Sequence, residues 1–220
     1  MGTIGESSEH ERARPDLDAW AEALRAAESR RPLAERMRAP RPDGLWGSTL
    51  QWLVAAAAIA ALATLTFTRD GWIPILSGAD LGVHEFGHLV FFWAPTIWEQ
   101  FAGSFMQGAL PLAVCAYFAH RRDSFAAIVA LAWAAESLNN VSVYVYDDTR
   151  MVLPLFNDDG SGAGHDWHNI LGELGLLGST DTIAYLVRGL SVALFVAALA
   201  LTLRGLVRSA PARALVRRPR

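Results

Sequence analysis

From Thr49 to Phe67 the chain runs nineteen residues without a charge. At about 1.5 Å of rise per residue, a helix of that length matches the roughly 30 Å hydrocarbon core of a bilayer. Inside lipid every backbone N–H and C=O must find a partner within the segment, and a helix is the conformation that provides one. Four more apolar segments come after it: Trp72 to Trp93, Phe101 to Phe118, Phe125 to Tyr146, and Ile183 to Leu203. Trp46, Trp52, Trp72, Trp93 and Trp98 gather near segment ends, as an aromatic belt does. The expected fold is all-α: a polytopic membrane bundle of four to five transmembrane segments, with a cytoplasmic or interfacial N-terminal helix.

The polar residues are segregated from these runs. Residues 1–45 form a charged N-terminal helix and linker, residues 46–205 the integral-membrane domain, and residues 206–220 a basic tail. Within the first region, Trp20, Leu24 and Ala27 recur at helical spacing between Pro15 and Arg38, and Ala39 to Gly44 reads as a Pro-rich linker. The first 40 residues hold no apolar core of a signal peptide, so the first transmembrane helix is expected to direct insertion. A net charge of −3 argues against a nucleic-acid partner. The single cysteine, Cys115, excludes an intrachain disulfide and reads as a small buried hydrophobe.

Arginines precede the first segment (Arg38, Arg41), follow the third (Arg121, Arg122) and follow the fifth (Arg204, Arg208). The positive-inside rule puts all three groups on the cytoplasmic side. Five complete spans cannot satisfy that, whereas four spans and one re-entrant segment can. The second segment, with Asp80, His84, Glu85 and His88 and three glycines, is the natural re-entrant one.

Residues 84–88 read His-Glu-Phe-Gly-His. On a helix the two histidines, four apart, share one face, and their imidazoles can reach one Zn²⁺. Glu85 is then positioned to take a proton from water at an open coordination position. The alternative is a pair of hydrogen-bonded helix histidines. In an apolar segment, however, ionisable groups are costly and usually functional. One zinc ion per chain is expected.

A catalytic zinc takes three protein ligands. The richest remaining segment is Gly164 to Asn169, at the start of a predicted helix from His165 to Leu176. His165 or Asp166 is the expected third ligand, the other supporting an imidazole; Asp166 could instead cap the helix. On the fourth apolar segment Glu136, Asn140, Tyr144 and Asp147 form one polar stripe, supplying a further ligand, a support, or interhelical hydrogen bonds. Gln107, with Ser104, forms a smaller patch on the third segment, and His168 is a further alternative ligand.

A membrane-embedded His84-Glu85-Phe86-Gly87-His88 resembles the site-2 protease class of intramembrane metalloproteases. That resemblance implies that Glu85 activates water, that the two histidines bind zinc, and that a later Asp in a Pro-x-x-x-Leu-Asp-Gly motif is the third ligand. The corresponding stretch here is Pro154 to Gly160, with Asp159 at the ligand position and Asp158 where Leu belongs. The chain also resembles a group of uncharacterised bacterial integral-membrane proteins. They pair the HExxH helix with motifs found here as Gly103-Ser104-Phe105-Met106-Gln107, Ser142-Val143-Tyr144-Val145 with Asp147, and His165-Asp166-Trp167.

The leading functional expectation is a zinc-dependent hydrolase of the bacterial inner membrane, a peptidase acting on a peptide or membrane-protein substrate, in contact with membrane lipid. Two alternatives stay open. A di-iron lipid oxidase or hydroxylase would use both histidine pairs with Glu136 and Asp147. A non-catalytic protein with structural zinc would close the site with four ligands: His84, His88, His165 and Asp166.

Overall fold

The computed structural model describes residues 49–68, 72–153 and 164–216, with side chains to 209, together with Asp18 and Glu22 in a separate unit, residues 1–40. The expected N-terminal helix, the linker, Trp46, Arg69 and the Pro154–Gly160 stretch with Asp159 lie outside the described residues.

In the membrane unit, residues 41–220, the described residues are helical and contain no strand. Six α-helices occur in order: α1 Thr49–Thr68, α2 Leu76–Phe91, α3 Thr96–His120, α4 Ser124–Tyr146, α5 Asp166–Glu173 and α6 Thr180–Val216, with a 3₁₀ turn Leu177–Ser179 before the last. Among the described residues, four segments are long and apolar enough to cross a membrane: α1, α3, α4 and the Leu177–Ser209 stretch that contains most of α6. The chain is a polytopic membrane bundle. The second apolar segment forms a helix of only 16 residues, roughly 24 Å long and short of a full crossing. The helix after Gly164 is shorter than its sequence pattern suggests, ending at Glu173, and α6 runs past residue 205, where the basic tail was expected to begin.

Local chemistry sets the boundaries. Asp123 caps α4 by accepting a hydrogen bond from the Ala126 backbone N–H at 3.0 Å. Pro95, with no N–H to lose, precedes α3. The core is built around α4. Ile128, Ala132 and Ala135 pack with Ile59 of α1 and with Phe195 and Ala198 of α6. Toward the other end, Val141 and Val145 pack with Trp167, Ile170 and Leu171 of α5 and Ala184 of α6. The alanines let backbones approach closely, which is how helices associate where lipid provides no hydrophobic drive. Ser191 donates across to the Ala135 carbonyl.

The contacts also fix the direction of α2. Asp80 meets Trp133 and Ser137 near the middle of α4. His84 meets the ring of Tyr144, near the C-terminal end of α4. Thus α2 starts against the middle of α4 and runs alongside it toward that end. It pairs antiparallel with α3, His88 opposite Glu99 and His84 opposite Gln107. At the other end of the bundle Trp52 packs on Phe125, and Thr49 meets Ser209.

A methyl group at Gly205 would lie 2.6–2.7 Å from the Trp52 ring. Gly205→Leu should therefore force α6 away from α1, at a cost of about 1–3 kcal/mol. A lowered Tm of the detergent-solubilised protein, with helicity retained, is the expected outcome.

Candidate metal centre

The HExxH helix is held against α3 by two close backbone approaches. A Cβ at Gly87 would collide with the Ala102 carbonyl. The space beside Gly87 is thus filled by α3. A Cβ at Gly103 would lie 2.5 Å from His84 Nε2 and 2.6 Å from His88 Nε2. Only glycine keeps α3 beside the two imidazoles while leaving the space between them vacant.

Each imidazole has its outer nitrogen tied down. The His84 Nδ1–H donates to Gln107 Oε1 at 3.2 Å. Gln107 is oriented by donating through Nε2 to Asn140 Oδ1 at 2.9 Å. The His88 Nδ1–H donates to the Glu99 carbonyl at 2.9 Å, with the Glu99 carboxylate 3.5 Å away. In a neutral imidazole that leaves Nε2 with its lone pair inward on both rings. Both face one oxygen, Asp166 Oδ2, at 3.0 Å from His84 Nε2 and 3.3 Å from His88 Nε2. The three donor atoms lie within 4.8 Å of one another.

Three lone-pair atoms converging on one point require positive charge between them, from protons or a metal ion. A tetrahedral ion with bonds of about 2.0–2.1 Å separates its ligand atoms by about 3.3 Å, which the two Asp166 distances approach. The protein residues therefore fit a divalent cation bound by two nitrogens and one carboxylate. The electrostatics agree. Burial works to raise the Asp166 carboxyl, but hydrogen bonds from His84 and His88 outweigh it and hold it at about 2. The Asp166 hydrogen bond raises His88 to about 9, against the opposing effect of burial. A proton thus takes the inward position when no metal does.

Asp166 reaches the imidazoles because α5 is anchored. Trp167 Nε1–H donates to Ser104 Oγ on α3 at 3.0 Å and its ring packs edge-on against Phe101. Tyr144 holds the Asp166 residue at both ends, accepting from its backbone N–H at 3.1 Å and donating to Oδ2 at 3.3 Å.

The sequence left His165 and Asp166 as alternatives. Asp166 is brought to the two histidines. His165 caps α5 instead, its Nδ1 accepting from the His168 N–H at 3.4 Å, while its Nε2 faces Asp147 Oδ2 at 3.6 Å. Its ring stacks on Tyr144, and burial lowers its pKa. Asp147 accepts from the backbone N–H groups of Val152 and Leu153, fixing the chain after α4. His168 Nδ1 bonds the Asp148 carbonyl. Gln107 and Asn140 support His84, whereas Glu136 is buried elsewhere, beside Asp80. Gly103 and Glu99 were not singled out as site residues from sequence. Gly103 differs from other helix glycines only through what α2 brings against it, and Glu99 acts chiefly through its backbone.

Glu85 is half-buried and lines a cleft of about 570 Å³ with Leu81, Gly82, His88, Leu89 and Glu99. The cleft reaches the site at His88 and Glu99. Phe92 and Leu89 present exposed apolar surface there. Compared with protein-family models, with curated proteins and with solved structures, the chain finds no match.

This geometry has two measurable consequences. Asp166→Ala should abolish stoichiometric Zn²⁺ uptake by the purified protein, whereas His165→Ala should retain it; Gly103→Ala should weaken uptake at least about tenfold with every ligand intact. Binding must also displace the His88 proton. Zn²⁺ affinity measured by competition with a chelator of known pH dependence should therefore rise with pH, by up to about tenfold per unit, and level off near pH 9. Asp166, ionised throughout that range, adds nothing to the slope.

Proposed function

We propose that the protein is a zinc-dependent membrane hydrolase, a peptidase, with His84, His88 and Asp166 as ligands and Glu85 as general base. The observation that carries this reading is the convergence of two Nε2 lone pairs and one carboxylate oxygen beside a cleft that Glu85 lines. Bound there, zinc would polarise a scissile carbonyl and acidify a water. Glu85 accepts the water proton and returns it to the leaving amine. Gln107 and Glu99 hold the imidazole tautomers. Tyr144 keeps Asp166 aligned, and the apolar cleft wall accommodates uncharged substrate side chains.

Zinc is favoured over a di-iron centre because, among the described residues, only three metal-binding side chains converge at this site, while His165 caps α5 and His168 bonds the Asp148 carbonyl. The same three-ligand set, with the cleft beside it, favours an open catalytic site over a closed structural one.

The arginine distribution supports an orientation as well. Arg121, Arg122, Arg204 and Arg208 belong to the end of the bundle opposite the candidate site. With that end cytoplasmic, the candidate site lies nearer the outer face of the membrane, which is the periplasmic side in a bacterial inner membrane.

Glu85→Gln should retain one zinc per chain while cleavage of a quenched fluorescent apolar peptide falls at least about a hundredfold. Undiminished cleavage by this variant would remove Glu85 from the mechanism, and iron at two per chain in elemental analysis would overturn the zinc assignment. For the orientation, Trp98→Cys in a Cys115→Ala background should react with a membrane-impermeant maleimide in spheroplasts; reaction only after lysis would reverse it.

A further inference from the structure

One helical turn before His84 on α2, Asp80 is completely buried, at 0% exposure. Its Oδ1 accepts two hydrogen bonds, from Trp133 Nε1 and Ser137 Oγ, both at 2.8 Å. Between those residues on the same face of α4 lies Glu136, 1% exposed, whose carboxyl lies against that of Asp80. Apart from the contact between the two carboxyls, neither Glu136 oxygen has a hydrogen-bond partner, and neither has Asp80 Oδ2. One turn further along α4, the buried Asn139 donates through Nδ2 to the Thr66 carbonyl, and its Oδ1 is likewise unpartnered. Two acids thus face each other in the middle of the bundle, and the unpartnered Asn139 oxygen lies one turn along α4 from Glu136. No described cationic side chain forms an ion pair with either acid.

Two carboxylates cannot stay ionised together in such surroundings without a counter-charge. The two donors on Asp80 Oδ1 occupy that oxygen and leave Oδ2 with no neighbour but the Glu136 carboxyl. The atoms left over are all oxygens, with no nitrogen or sulfur among them, and that donor set suits hard cations rather than zinc. We propose that Asp80 and Glu136, with the amide oxygen of Asn139, hold a hard metal cation (Na⁺, Mg²⁺ or Ca²⁺) at a second site, one helical turn deeper than the histidine centre. The cation would tie the short α2 to α4 and so fix the depth at which His84 and His88 are presented. The assignment does not depend on any hydrolytic activity.

The test uses the full-length protein in detergent, in a buffer whose only cations are organic. NaCl, MgCl₂ and CaCl₂ are titrated separately and Tm is followed. A saturable rise of several degrees with one of the three, retained in His88→Ala and lost in both Glu136→Gln and Asp80→Asn, is the expected result. His88→Ala separates this site from the histidine centre, and the identity of the active salt separates the monovalent from the divalent occupants. If no salt shifts Tm in the wild type, or if the shift survives both carboxylate substitutions, the proposal fails and the pair is neutralised by protons alone. Should both variants fail to fold, equilibrium dialysis of the wild type and His88→Ala with radiolabelled Na⁺ or Ca²⁺, or with Mg²⁺ followed by elemental analysis, decides: one ion retained per chain in both supports the site, and none retained overturns it.

Discussion

Three lone-pair atoms meet at one point: His84 Nε2, His88 Nε2 and Asp166 Oδ2. In water such a grouping would simply be hydrated. Against a bundle wall it needs positive charge held between the three atoms, and much of the surrounding structure serves to keep them converged. Gln107 and the Glu99 carbonyl occupy the outer nitrogens, so neither ring can turn its lone pair away without losing a hydrogen bond. Tyr144 fixes the carboxylate, and Trp167 fixes the short helix that carries it. Glycine at 103 lacks the side-chain carbon that would fill the space.

The bundle acts as a frame for this convergence. Helix α4 provides the core at both ends, and its polar stripe is divided by depth. Trp133 and Ser137 engage Asp80, Asn140 orients Gln107, and Tyr144 holds Asp166. The stripe thus serves two levels, a carboxylate pair in the middle and the histidine centre nearer one end. Because α2 is too short to cross the membrane and lies along α4, Asp80 and His84 are presented at successive depths inside protein rather than to lipid. That is the arrangement in which intramembrane charges are tolerable.

The spans were legible because their signal is local. Uncharged runs of about twenty residues need no tertiary information to be recognised, and all four candidate spans overlap segments read from sequence. The histidine pair was legible for the same reason, since four-residue spacing on a helix fixes a shared face. Choosing between His165 and Asp166 was different. Adjacent residues at a helix start differ in direction by about 100°, so which one faces α2 depends on how α5 docks. Trp167 and Ser104 set that docking, and no pattern within residues 164–169 contains it. Glu136 and Asp147 were plausible ligands by composition, yet one is level with Asp80 and the other is bound to the backbone after α4.

The sequence by itself determined an all-helical membrane bundle and two imidazoles one turn apart, because apolar length and helical period are properties of contiguous residues. Tertiary structure alone decided which carboxylate meets those imidazoles, why position 103 must lack a side chain, and that two acids fifty-six positions apart come together in the bundle interior. Those outcomes depend on the approach and depth of separate helices, which long-range packing sets and no local spacing encodes.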